Sequence, residues 1–351
     1  MNIKPLLKIM AEKRASDLFL SPFSPIKIKI DGVIRAVNNT ILDVASVKAA
    51  AMSIMTQSEK EQLIENLEVD FAISESGLGR FRVNVFHQRS SIAMVLRFIS
   101  PETPRLEDLD LPDKIPELIM GKRGLVLMVG ATGSGKSTTL AAMLDHRNEN
   151  SSSHILTVED PIEFLHKSKK SIVNQRELGT DTHSYHNALR SAVREAPDVI
   201  LIGEIRDGET METALTLAGT GHLTVATLHA NNAAETLDRI INMFPQERHH
   251  QILTDMSQYL NAIISQRLVI MKNGKRCAAV EVMMNTPHIR ELILKNDISS
   301  VKEALNATTE GGMQSFDSAL YELYASGKVS LEEALLNADS KADLEARINF
   351  G

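Results

Sequence analysis

Cysteine is nearly absent: Cys277 stands alone in 351 residues. One thiol cannot build an internal disulfide framework or a cysteine-rich zinc site within the chain, and such scarcity fits a reducing compartment. No apolar run is long enough to cross a bilayer, so a role at a membrane calls for a protein partner. The segment Met1–Met10 is too short and too polar for a secretory signal. A basic excess is missing as well. The formal net charge of −7 speaks against generic polyanion binding, and so against nucleic acid as a specific partner. Internal repeats and low-complexity tracts are lacking. What is there, 43% hydrophobic and 24% charged residues, suits a globular chain with room for roughly two or three domains.

A Pro-rich stretch, Ser100–Pro116, carries Pro101, Pro104, Pro112 and Pro116 among acidic residues and reads as an interdomain linker. It divides an N-terminal domain, 1–100, from a larger one, 117–351. Upstream, Leu6–Lys13 reads as a short helix. Ile26–Ile30 alternates isoleucine with lysine as a half-buried strand does, and Asp31-Gly32 supplies a hairpin turn into Val33–Val37. Val44–Asn66 has helical composition, and Val69–Ile73, Arg80–His87 and Ile92–Ile99 read as strands. This order predicts a small α+β domain, PAS-like in general shape. Downstream, the short apolar strands Leu125–Val129, Ile155–Val158, Val199–Ile202 and Thr224–Thr227 are separated by helical segments such as Tyr185–Glu195 and Glu209–Ala218. That alternation predicts a parallel sheet with crossover helices. From Glu247 onward the pattern is mainly helical, with a hairpin around Lys272-Asn273-Gly274.

The most informative segment is Leu125–Thr138, an apolar strand running into G-x-x-x-x-G-K-S. Glycines at 130, 133 and 135 let the backbone N–H groups of Thr132, Gly133, Ser134, Gly135, Lys136, Ser137 and Thr138 converge on polyphosphate at a helix N-terminus. Lys136 reaches the β- and γ-phosphates, and the Ser137 hydroxyl goes to Mg²⁺. A second element, Asp198–Glu204, is four apolar residues ending in glycine and glutamate. A strand-end acid about 60 residues after a P-loop suits Mg²⁺-linked duty, which points to Glu204 for metal and catalysis. A third, Thr157–Glu163, places Glu159, Asp160 and Glu163 in one turn, where a carboxylate can orient the attacking water of a hydrolysis. The alternative for this segment is an ordinary acidic loop. A fourth pairs His222 and His229 at the two ends of a short strand, suited to sensing the γ-phosphate or transmitting its loss; partners at metal-ligand spacing are missing. In a fifth, Phe81, Val83 and Val85 share one strand face, so Arg80, Arg82 and Asn84 share the other. With Arg97, these guanidiniums suit polyphosphate or transition-state charge. The alternative is a solvated cationic face.

The P-loop, Glu159-Asp160-Pro161-Ile162-Glu163, Gly203-Glu204-Ile205-Arg206-Asp207 and Thr220-Gly221-His222…Thr227-Leu228-His229-Ala230-Asn231 resemble the Walker A, Asp box, Walker B and His box of secretion-superfamily hexameric ATPases. Within that group the chain resembles the type IV pilus retraction ATPases of the PilT and PilU kinds. Ala15-Ser16-Asp17-Leu18 and Arg80-Phe81-Arg82-Val83-Asn84 extend the likeness over nearly the whole chain. Members of the PilT kind carry an Ala-Ile-Arg-Asn-Leu-Ile-Arg-Glu signature needed for retraction. Here the segment is His288-Ile289-Arg290-Glu291-Leu292-Ile293-Leu294-Lys295, and with the tail around Gly312–Asp317 and Ala338–Leu344 it is more similar to the PilU kind.

The resemblance implies a RecA-like P-loop ATPase domain with C-terminal helices, ATP and Mg²⁺ as ligands, and a homohexamer with nucleotide at subunit interfaces. It implies that Glu163 polarises the attacking water, that Glu204 supports Mg²⁺, that His229 belongs to the catalytic set, and that Arg82 and Arg97 reach nucleotide from their own or a neighbouring subunit. It implies a motor for pilus retraction and twitching motility, cytoplasmic at the inner-membrane pilus base, acting on a platform protein beside a PilT-type partner ATPase. Competing readings are a non-motor nucleotide-binding bridging subunit, a pilus-assembly or type II secretion ATPase, and a DNA-translocating motor. The lone Cys277 counts against the assembly and secretion ATPases, which usually carry a tetracysteine module.

Overall fold

The amphipathic strands and helices read above assemble into two units in a computed structural model that describes residues 2–30, 32–99, 102–307 and 310–350. The first unit is 1–102 with residues 163–165; the second is 103–162 with 166–351.

The first unit holds helices α1 (Lys4–Glu12), α2 (Val44–Ile54) and α3 (Gln57–Asn66), and strands β1 (Asp17–Leu20), β2 (Pro25–Ile30), β3 (Val33–Ile41), β4 (Glu68–Glu75), β5 (Gly79–Gln88) and β6 (Ser91–Ile99). The strands form a six-stranded sheet in the order β3-β2-β1-β6-β5-β4, antiparallel throughout. One face buries Leu18, Ile28, Phe81, Val83, Val85 and Leu96 beneath Leu7, Met10, Val47 and Ala50 of the helices. The expected Val44–Asn66 helix is two helices. Thr56 starts the second through a reciprocal cap with Glu59, which stops the first at Met55. Gly32 carries φ +81; Asp31 of the expected turn lies outside the described residues, as do Ser100 and Pro101 of the expected linker. The rest of that linker carries structure of its own. Leu106–Leu109 is a 3₁₀ turn and α4 spans Lys114–Ile119, with Leu106, Ile115, Leu118 and Ile119 buried in the second unit's core.

The second unit contains β7 (Gly124–Val129), α5 (Lys136–Asn150), β8 (His154–Glu159), β9 (Ile172–Glu177), α6 (Tyr185–Ala192), β10 (Val199–Ile202), α7 (Gly208–Gly219), β11 (Leu223–Leu228), α8 (Ala233–Asn242), α9 (His249–Tyr259), β12 (Leu260–Ile270), β13 (Arg276–Met284), α10 (Pro287–Leu294), α11 (Ile298–Ala307), α12 (Phe316–Ala325), α13 (Leu331–Asn337) and α14 (Lys341–Phe350). Its seven-stranded sheet runs β13-β12-β7-β11-β10-β8-β9. All pairs are parallel except β12–β13. β7 and β10 are apolar and fully buried, as central parallel strands covered on both faces must be. The hairpin at Lys272–Gly274 is larger than its turn suggests. It joins strands of 11 and 9 residues, and β12 pairs with the P-loop strand itself. Behind the hairpin, α12–α14 bury Phe316, Leu320, Ala334 and Leu344 against Val269 and Ala279.

Candidate functional site

Four loops leave the C-terminal edge of the parallel sheet side by side. β7 ends in Gly130, β8 in Glu159–Asp160, β10 in Gly203–Glu204 and β11 in His229. A parallel sheet brings these ends together because every strand points the same way, and ligands of such sheets bind there.

The loop after β7 turns through Gly130, Gly133 and Gly135 with φ of +149, +80 and +90. Gly135 caps α5, so the helix N-terminus opens onto the loop. Thr132 and Gly133 are exposed, whereas Ser134 is buried. Lys136, Ser137 and Thr138 form the first turn of α5 and are half-buried. Lys136 Nζ donates to the carbonyls of Gly130 at 2.7 Å and Ala131 at 2.9 Å, which holds the ammonium within the loop.

Beside it, three of the four boxes are wired together. Arg206 Nη1 donates to Asp160 Oδ2 at 3.2 Å and its Nε to Glu204 Oε2 at 2.8 Å. His229 Nε2 lies 3.0 Å from Glu204 Oε1. The chain Asp160–Arg206–Glu204–His229 thus crosses the ends of β8, β10 and β11. Thr227 adds a hydroxyl donated to the Gly203 carbonyl. Glu159 accepts from Thr157 at 2.6 Å and from Gln175 at 3.2 Å. The buried Glu177 accepts the Ile162 N–H at 3.0 Å, which fixes the Asp-box loop from β9. Burial, with the Asp160 carboxylate nearby, pushes the Tyr185 phenol well above its ordinary range, so this ring at the start of α6 stays neutral beside the network.

His222 falls elsewhere. β11 runs from Leu223 to Leu228, so His222 stands about 20 Å from the His229 end at strand spacing. There His222 Nδ1 contacts the Leu217 carbonyl at 3.1 Å, at the end of α7. It stands at the opposite end of β11 from the loops that carry the P-loop, Glu204 and His229.

Arg82 and Arg97 belong to the first unit, where they face each other across β5 and β6. Like charges in that position repel unless partnered. Arg97 Nε donates to the buried Asp17 at 2.9 Å on β1, and Arg82 lies 3.8 Å from Asp70 on β4. Glu163 is exposed, and the short run 163–165 groups with the first unit rather than with the P-loop's. Sequence reading gave no role to Arg206, although it stands two residues after the strand-end acid. It missed Gln266 on β12 entirely, since nothing in that apolar strand announces a link to the P-loop.

Among the described residues, no group of three or more histidine, cysteine, aspartate or glutamate side chains could hold a metal by itself. Ser137 and Glu204 offer only hydroxyl and carboxylate oxygens, the donors Mg²⁺ takes when nucleotide phosphates and waters complete its shell. Arg206 and His229 engage one Glu204 oxygen each, and each oxygen keeps a further lone pair. No described helix is long and apolar enough to cross a membrane.

Residues 1–291 match the family model described as Type II/IV secretion system protein. The chain is 47% identical to the type IV pilus ATPase PilU of Pseudomonas aeruginosa, covering 100% of this chain and 92% of that protein. It is 44% identical to the type IV pilus retraction ATPase PilT of the same organism, covering 95% and 97%. A crystal structure of the pilus retraction motor PilT with bound ADP superposes with a TM-score of 0.92 at 43% identity, covering 98% of this chain and 99% of that one.

Proposed function

The chain belongs to the Type II/IV secretion system protein family, and from that premise we propose that it is an ATP-hydrolysing motor of type IV pilus retraction. It acts as a homohexamer at the cytoplasmic face of the inner-membrane pilus base, on a platform protein and alongside a PilT-type partner. The observation that carries the ATPase reading is the Asp160–Arg206–Glu204–His229 chain beside the P-loop. Phosphoryl transfer asks the protein mainly for positioning and charge. The loop N–H groups and the α5 terminus take the phosphates, and Lys136 exchanges its two loop carbonyls for phosphate oxygens. Ser137 and Glu204 would hold Mg²⁺, which when bound neutralises charge spread over the phosphates. Glu163 orients the attacking water. Arg82 and Arg97 supply positive charge against the negative charge that develops on the leaving phosphates. His229, bonded to Glu204, passes a change at that carboxylate into β11.

The partner-dependent form of this reading is supported by α10. Against the retraction signature the chain departs at His288, Glu291, Leu294 and Lys295, all four of which are exposed. The shared Ile289, Leu292 and Ile293 are buried. The substitutions therefore change what α10 offers to another protein and leave its packing intact, which suits a motor that hydrolyses ATP but docks poorly alone. The test is ATP turnover by the purified chain, together with pilus retraction in cells with and without the PilT-type partner. Turnover in vitro with retraction only in the presence of the partner is expected. Full retraction by this chain alone would leave a standalone motor, and absence of turnover would leave a bridging subunit.

A further inference from the structure

We propose that Gln266 is a positioning residue for the phosphate-binding loop, so that a strand from the C-terminal hairpin completes the nucleotide site. The inference rests on the ATPase reading only in taking the P-loop as the nucleotide site. Gln266 is 2% exposed on β12, which pairs in parallel with β7. Its side-chain amide spans the turn from loop to helix. Nε2 donates to the Ser134 carbonyl at 2.8 Å, and Oε1 accepts from the Thr139 hydroxyl at 2.8 Å. A carbonyl can only accept, so Ser134 fixes which end of the amide is nitrogen. Thr139 is equally buried, at 2% exposed, in the first turn of α5.

The glycines interlock with the same residue. A Cβ on Gly130 would lie 2.5 Å from the backbone carbonyl oxygen of Gln266 and 2.6 Å from Ser134 Oγ, and one on Gly135 would lie 2.6 Å from Gln266 Nε2. Gly133 differs: nothing lies within 4 Å of its missing Cβ, and only φ +80 asks for glycine there. Gly130 thus lets the loop lie against the β12 backbone, and of the three glycines it is Gly135 whose missing side chain leaves room for the Gln266 amide. A loop with three such glycines has much conformational freedom to lose. A buried amide bonded at both ends removes part of that freedom before nucleotide arrives, which favours binding through preorganisation. Gln266 acts through Ser134 and Thr139 and needs no contact with nucleotide.

The experiment uses the full chain with Gln266→Met, which keeps reach and removes the amide, and Thr139→Val, which keeps volume and removes the hydroxyl. ADP affinity, KM and kcat for ATP, and melting without nucleotide are measured for each and for the double variant. The expected result for Gln266→Met is about tenfold weaker ADP binding and a matching rise in KM, the scale of two lost buried hydrogen bonds. Thr139→Val should shift both in the same direction but less, and the double variant should be no worse than Gln266→Met alone. A residue that only fills the core would lower melting and leave the ADP affinity of the folded protein unchanged. That outcome, or strictly additive effects of the two substitutions, overturns the proposal. Should Gln266→Met fail to fold, unchanged ADP affinity in Thr139→Val overturns it. ADP binding reads out whether or not the chain turns over ATP, so a failure of the ATPase reading is seen separately.

Discussion

The two sheets place their charged side chains by different rules. In the second unit, Lys136, Asp160, Glu204 and His229 all follow the C-terminal ends of strands, and the topology alone brings them to one edge. In the first unit, Arg82 and Arg97 sit within strands, neighbours only because residue 82 pairs with residue 97. A slip of one residue in that register would turn either guanidinium onto the buried face. The parallel edge therefore tolerates changes within its strands and depends on its loops. The antiparallel face depends on register, and on Asp17 and Asp70 to let two cations stand together. The contrast is open to direct attack.

The largest effect is expected at the parallel edge. Lys136→Ala should cut ATP hydrolysis by about 10³-fold, because it removes fixed charge from the phosphates; near-normal turnover would sink the P-loop assignment. Next, Glu163→Gln should lower turnover by about 10²-fold with ADP binding retained, the scale of lost general-base catalysis. Collapse of ADP affinity in a folded Glu163→Gln protein would instead deny it the water-orienting role.

Glu281, mid-strand in β13, breaks the strand-end pattern. It accepts the Ala233 N–H at 2.7 Å and the Ser265 hydroxyl at 2.9 Å, and burial pushes it up to about 7. A carboxyl raised in this way favours the folded state fully below its ordinary value of 4.5, and that contribution is lost as pH rises through about 7. Glu281→Gln keeps an acceptor oxygen and removes the titration. Its melting temperature relative to the parent should rise between pH 5 and pH 8, by roughly 2–3 kcal/mol of stability. A difference flat across that range would refute the assignment.

The smallest effect separates the two arginines. Arg97→Ala leaves the buried Asp17, among the described residues, with the Ser16 hydroxyl at 2.9 Å, and should destabilise by about 1–2 kcal/mol. Arg82→Ala breaks an exposed 3.8 Å pair and should cost under about 1 kcal/mol. Equal melting temperatures would deny the register its counter-charge. In rings mixed with parent subunits, Arg82→Ala should inhibit beyond its share, and a linear loss would count against coupled subunits.

Legibility in the sequence followed the same division. The P-loop, the Glu204 strand and the His box are contiguous motifs whose backbone geometry is local, so their residues carry the signal. The alternating faces of Ile26–Ile30 and Arg80–His87 were equally plain, with Ile28, Phe81 and Val83 inside. What was hidden depends on partners far along the chain. β9 reads Ile-Val-Asn-Gln-Arg-Glu and has too few apolar residues to announce an edge strand. β1 is four residues long. His222 and His229 look symmetrical in the sequence, and only the length of β11 separates their fates. Gln266 gains its meaning from Ser134 and Thr139, which no spacing rule connects to it.

The place of β7 also bears on how the chain is made. Its two neighbours in the sheet, β11 and β12, both come later in the sequence. A ribosome adding about 5–20 residues per second releases the end of β12 roughly 7–28 s after the end of β7. Until β11 emerges the strand beneath the phosphate loop has no partner on either side, and until β12 follows one of its edges stays open to misplaced contacts. A nascent chain that stops short of residue 260 therefore holds the whole Walker A sequence without β12, the strand that carries Gln266. Translation stalled inside this window should yield a species that chaperones retain, and the ability to capture nucleotide should arise late and all at once, with the emergence of the hairpin.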